Sequence, residues 1–156
     1  MAKIKNYKSV VPVINSIAKI ENCLIGAGAT AISKTYECGM PTGVMFKVSL
    51  GDGEFLTFNL PCNAQGVLDY FIREREKKGA RSKPKLTDAV RENIKLQANR
   101  TSWKLLSEWI EIQTTLITLR QVKLTQIFLP YMWDGKETLY DKMTAANFKE
   151  LAQHGA

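Results

Sequence analysis

Between residues 73 and 85 the chain places seven cations, Arg73, Arg75, Lys77, Lys78, Arg81, Lys83 and Lys85, against two acids, Glu74 and Glu76, a local excess of five charges. Cations at that density supply what phosphate neutralisation requires. The last turn of a helix accounts for some of them, because positive side chains there complement the negative end of the helix dipole. The stretch Lys77-Lys78-Gly79-Ala80-Arg81-Ser82-Lys83-Pro84-Lys85 has loop composition, however, and nothing in helix physics asks for Arg81, Lys83 and Lys85. Arg91 and Lys95 follow on the first turns of the next expected helix, so loop and helix start form one expected basic zone. Such contacts fix the position of a nucleic-acid backbone without reading bases, and they do not distinguish DNA from RNA or one strand from two.

A second candidate is Phe55. It falls on the same expected sheet face as Met45, Lys47, Thr57 and Asn59, and an aromatic beside lysine and asparagine on an open sheet is how many single-strand binders stack bases.

Other chemistry is weakly provided for. Glu108, Glu111, Asp134, Glu137 and Asp141 offer carboxylates, and Asp134 with Glu137 is the pair that would hold a metal. Carboxylates beside a turn are ordinarily solvated, so the expectation is no catalysis, no cofactor and no metal. Cys23, Cys38 and Cys62 are odd in number, without a CxxC, and the single histidine, His154, lies near the end of the chain. That argues against a disulfide framework, the common zinc sites and histidine-based dyads. Gly26-Ala27-Gly28-Ala29 resembles a phosphate loop in composition, but such loops follow a strand and precede a helix, and here that order is reversed.

The whole chain of 156 residues carries a net charge of +7, with 45% hydrophobic and 24% charged residues, which suits one globular domain. The charge is uneven. Residues 61–100 hold ten cations and five acids, while residues 101–156 hold six of each. No run of about 18 apolar residues and no secretory leader is present, so a cytoplasmic protein with no membrane partner is expected.

The elements that must position the basic zone read as follows. Pro12 opens a helix with Ile14, Ile17, Ala18, Leu24 and Ile25 on its apolar face and Lys19 and Asn22 on the other, and Gly26 and Gly28 end it. The period then falls from 3.6 to 2. Three strands follow, joined by a turn from Cys38 to Gly43 and by Gly51-Asp52-Gly53, with Phe46, Val48, Leu56 and Phe58 toward the core and Phe55 outward. Asn63 caps a helix that runs to Lys78. Thr87 or Asp88 caps a long helix reaching about residue 120, with Leu106, Trp109, Ile110, Gln113, Leu116 and Ile117 as its inward stripe and Trp109 largely buried. A break near Arg120 precedes a helix over 122–128, then a turn at Trp133-Asp134-Gly135-Lys136 and a last helix, capped by Thr138, that contains Met143 and Leu151.

The predicted class is therefore α+β: an N-terminal helix, a three-stranded antiparallel meander and a mainly helical C-terminal half, in a single domain over 1–156. Within it the α-β-β-β-α subregion covers about 10–79, the helical subregion about 86–152, and the basic loop 77–86 lies between them.

Trp103-x5-Trp109-x-Glu111-x-Gln113, followed by Phe128-Leu129-Pro130-Tyr131 and preceded by Gly28-Ala29 leading into a strand, resembles a group of short uncharacterised proteins carried by bacteriophages and mobile elements. The resemblance implies an origin and no particular activity. The order helix, three antiparallel strands, helix also resembles the topology of the double-stranded RNA-binding domain. That family's basic second-helix start and Gly-Pro-His loop are not matched, since Pro61-Cys62-Asn63-Ala64-Gln65-Gly66 has no lysine. The expected function is a non-catalytic nucleic-acid-binding accessory protein. The alternative is a protein-interaction module or inhibitor acting on a host defence or nucleic-acid-processing enzyme.

Overall fold

Hairpin turns and helix caps, the most local of these signals, set the order of elements. The computed structural model describes residues 3–78 and 85–155. They form α1 (Val13–Gly26), β1 (Ala29–Glu37), β2 (Met40–Gly51), β3 (Glu54–Pro61), α2 (Ala64–Lys77), α3 (Asp88–Thr118), α4 (Leu124–Phe128), a 3-10 turn (Leu129–Tyr131) and α5 (Leu139–Ala145). This is the expected α+β arrangement, with an antiparallel sheet in the order β1-β2-β3. The chain groups into two units, Met1–Cys23 with Cys62–Ile112, and Leu24–Pro61 with Gln113–Ala156. No helix among the described residues is long and apolar enough to cross a membrane.

The second unit is built on the sheet. Cys38 and Gly39 both have positive φ, 49° and 77°, and Asp52 and Gly53 repeat the pattern at 53° and 79°. Two consecutive left-handed residues make the tight hairpin whose twist matches the strands. The first turn is thus Cys38-Gly39 alone, shorter than expected: residues 40–43 already belong to β2. Pro41 is accommodated where the register slips between Thr35 and Tyr36, a place where its missing N–H costs no regular ladder bond. Gly43 is required by close approach, since a Cβ there would sit 2.9 Å from the Leu60 carbonyl oxygen.

Phe46 lies directly across from Phe58, and Val44 from Leu60. All four are buried, and Phe55 is 55% exposed, so the register is the expected one. The rings of Phe46 and Phe58 stack at 5.0 Å, and Phe128 meets Phe46 edge-on at 5.3 Å. Three mutually packed aromatics anchor the sheet to the short helix that follows α3. The Thr138 cap is present, with Thr138 and Asp141 in a reciprocal capping box. The last helix stops at Ala145 rather than reaching Leu151, because Asn147 and Phe148 turn left-handed.

Two faces in the helices differ from expectation. Helix α1 buries Ile17, Ile20 and Leu24 and leaves Ile14 and Ile25 at 74% and 59% exposure. It is apolar on two sides, and periodicity grouped residues from both. In α3, of the expected stripe only Ile110 is buried, and Trp109 is half-buried. The buried residues are Ala98, Asn99, Thr101, Ser102, Trp103, Ser107, Ile110 and Thr114. Small hydroxylated residues fill the inward face because their polar atoms find partners. Thr101 donates to the Asn6 carbonyl at 2.9 Å and Ser107 to the Lys104 carbonyl at 2.8 Å, which offsets the cost of burying a hydroxyl. Trp103, not Trp109, is the large side chain sealed inside.

Candidate nucleic-acid interface

The site in the first unit starts from a pinned N-terminal segment. Asn6 takes a positive φ of 62°, which asparagine tolerates better than most residues. The chain on either side is held from α3: Gln97 Nε2 donates to the carbonyls of Tyr7 at 3.2 Å and Ser9 at 2.9 Å, and Arg100 Nε donates to Ser9 at 3.3 Å. Lys5 pairs with Glu108 at 2.6 Å and lowers that carboxyl below its ordinary range. Tyr7 is thereby fixed in place through backbone groups, leaving its ring available.

Across from it stands α2. The Asn63 side chain accepts from the Gly66 N–H at 3.1 Å and fixes the start of that helix, as expected of an N-cap. From that start Phe71, Glu74, Arg75 and Lys78 fall at i, i+3, i+4 and i+7, one face of the helix. Together with Lys3, Tyr7, Lys8, Ile94 and Gln97 they line a cleft of ≈ 420 Å³. Four cations and a single carboxylate, Glu74, therefore share one concavity, and Glu74 already accepts from Lys77 at 3.2 Å. Lys3, Lys8 and Lys78 pair with no carboxylate among the described residues.

Two amines approach the Tyr7 ring. Lys3 Nζ lies 5.0 Å and Lys8 Nζ 5.6 Å from its centroid, and Lys3 also donates to the phenol oxygen at 3.2 Å. That hydrogen bond holds the Tyr7 phenol below its ordinary pKa. Cation–π contacts at such an exposed place are weak, so the ammonium groups can leave the ring for a stronger anion.

The structure sorts the basic residues named from the sequence. Arg75 and Lys78 line the cleft. Lys77 is turned to Glu74, and Arg73 is exposed outside the cleft. Lys85, Arg91 and Lys95 are exposed and do not line it. Arg81 and Lys83 lie outside the described residues, with most of the basic loop. Lys3, Tyr7 and Lys8 are members that sequence reading passed over. A signal existed: residues 1–20 carry Lys3, Lys5, Lys8 and Lys19 with no acid before Glu21.

Phe55 belongs to a different concavity, in the second unit. The Trp133 N–H donates to the Thr57 carbonyl at 2.8 Å, and Met132 bridges to Phe58, so the segment after α4 extends the β3 edge. Phe55, Trp133, Asp134, Glu137, Leu139 and Lys142 are among the residues around a cleft of ≈ 390 Å³. One ring face of Phe55 is covered by Lys47 Nζ at 4.4 Å from the centroid. Asp134 is committed to its own turn. Its carboxylate accepts from the N–H groups of Glu137 at 2.9 Å and Lys136 at 2.8 Å and pairs with Lys142 at 2.5 Å. Those bonds, the Glu137 N–H foremost, drive its pKa far below the carboxylate range. No group of three or more metal-ligating side chains occurs among the described residues.

Cys23, Cys38 and Cys62 are free thiols. Cys62 lies 3.2 Å from the Ser102 hydroxyl, and burial pushes it up to about 11. No protein-family model, curated protein or solved structure matches the chain.

Proposed function

We propose that this protein binds nucleic acid through phosphate contacts and carries out no chemistry on it, acting as an accessory factor of a bacteriophage or mobile element. The observation that carries the binding part is the convergence of Lys3, Lys8, Arg75 and Lys78 on one cleft that holds a single carboxylate. These cations come from segments far apart in sequence. Local helix-dipole complementarity explains Lys77 and Lys78 at the end of α2, but it gives no reason for Lys3 and Lys8 to meet them there. The phage origin rests only on the resemblance carried by the tryptophan-containing helix, Phe128-Leu129-Pro130-Tyr131 and Gly28-Ala29.

The test is a titration of labelled oligonucleotide at several salt concentrations. Replacing Lys8, Arg75 and Lys78 by Ser should weaken binding and lower the slope of log affinity against log salt by about 2–3 units, roughly 0.7–0.9 for each phosphate no longer neutralised. The same substitution of Arg81, Lys83 and Lys85 measures how far the contact zone extends along the basic loop. Absence of any oligonucleotide binding at low salt would dispose of the reading.

One observation favours the second reading, a module that docks onto a host enzyme. Val10, three residues before α1, and Ile14, in its first turn, are 86% and 74% exposed, apolar side chains that a docking partner would cover. Loss of partner capture on Val10→Ser with Ile14→Ser, in a protein that ignores naked oligonucleotides, would move the conclusion there.

A further inference from the structure

We propose that the cationic cleft takes single-stranded nucleic acid, seating one unpaired base against Tyr7 while Lys3, Lys8, Arg75 and Lys78 hold the phosphates on either side. This deepens the nucleic-acid reading and depends on it.

The argument starts from what lies inside the concavity. Phosphate contact alone calls for cations and has no use for aromatic rings. Here two aromatic rings, Tyr7 and Phe71, line the same cleft as the cations. A duplex keeps its base faces stacked within the helix and presents only edges and phosphates, so rings set in a hollow gain nothing from it. An unpaired base has an open π-face, and aromatic platforms in basic grooves use that face whatever its identity. At ≈ 420 Å³ the cleft lies near the small end of ligand sites, about 300–1,000 Å³, which is room for one nucleotide and not for the width of a double helix.

The contacts around Tyr7 support an exchange on binding. Lys3 and Lys8 hold their ammonium groups 5.0 and 5.6 Å from the ring centroid. A base that stacks on the ring displaces an amine from it, and that amine, tethered next to the base, meets the adjoining phosphate. Ring and cations are thus used together, each released by the ligand group the other prefers. Gln97 is not a base reader here. Its amide is spent on the carbonyls of Tyr7 and Ser9, and its Oε1 accepts from Arg100 at 2.6 Å. Gln97 therefore adds no base preference, and stacking on a ring accepts any base.

The test compares a fluorescein-labelled oligothymidylate and an oligouridylate, each of about twelve nucleotides, with a blunt DNA duplex of equal length at one salt concentration. Single strands should bind at least about tenfold more tightly than the duplex. Tyr7→Ala should cost the single strand about tenfold in affinity and leave its salt slope unchanged, whereas Tyr7→Phe should bind as the parent does. Because the backbone of residue 7 is what α3 holds, Tyr7→Ala should fold, and an unchanged melting temperature checks that. Equal or tighter binding of the duplex, or an unaltered affinity in Tyr7→Ala, overturns the single-strand inference and leaves phosphate binding standing. If none of the three probes binds at low salt, both fall together.

Discussion

The cleft of the first unit and the cleft of the second are close in volume, ≈ 420 and ≈ 390 Å³, and both hold aromatic and charged side chains. They differ in what those charges are doing. In the second, Asp134 is saturated by two backbone N–H groups and Lys142, and Lys47 covers the Phe55 ring. In the first, Lys3, Lys8 and Lys78 have no carboxylate to answer among the described residues, and the one acid in the cleft is turned to Lys77. The size of a hollow therefore says less about ligands than whether its charges are already paired within the fold.

That contrast can be broken most forcefully at the frame of the first unit. Trp103 is sealed inside, and its indole N–H meets no acceptor among the described residues, so packing alone holds it. Trp103→Ala should cost about 3–5 kcal/mol in urea denaturation, and oligonucleotide binding should fail with it. Trp109→Ala, at a half-buried position, should cost clearly less. The reverse ranking would mean that α3 presents another face inward.

Next comes the exchange of roles between the clefts. The triple substitution of Lys8, Arg75 and Lys78 by Ser should leave the melting temperature within a degree or two of the parent while lowering affinity and salt slope. Asp134→Asn should do the opposite, lowering the melting temperature by a few degrees through a loosened turn and leaving affinity untouched. If Asp134→Asn weakens binding and the triple variant does not, the two clefts have been assigned the wrong way round.

The smallest effect is a pH dependence. A carboxyl whose pKa is depressed by folding stabilises the native state above its unfolded value, about 3.9, and that contribution fades as pH falls from there toward the folded value. Asp134 is such a group. The gap in melting temperature between parent and Asp134→Asn should be constant from about pH 7 to 5 and should close below about pH 4. Because the pair is exposed, added salt should narrow the gap.

Reading from sequence succeeded where the determinants are local. Asp52-Gly53, the Asn63 cap and the Thr138 box each act within a few residues, and alternation over Val44 to Leu60 is enough to set the sheet register. It failed where burial is carried by residues that look polar. The inward face of α3 is rich in Ser and Thr, whose hydroxyls are satisfied by carbonyls such as that of Asn6, nearly a hundred residues away in sequence. The site was legible by half for a similar reason. Arg75 and Lys78 sit in an obvious basic run, but Lys3, Tyr7 and Lys8 become relevant only through Gln97 and Arg100 holding the N-terminal segment to α3. No short-range pattern encodes that.

The burial that raises the Cys62 pKa makes it a slow reporter. Alkylation requires the thiolate, and with the thiol pushed up to about 11 only roughly a thousandth of it is ionised at pH 8. In a Cys23→Ser background, Cys38, exposed on the hairpin tip, should be modified at once, whereas the partly buried Cys62 should react slowly. The slow phase of a simple thiol-labelling experiment then follows Cys62 in the unit that carries the cationic cleft, and slowing of that phase by an oligonucleotide would register binding without any label on the nucleic acid.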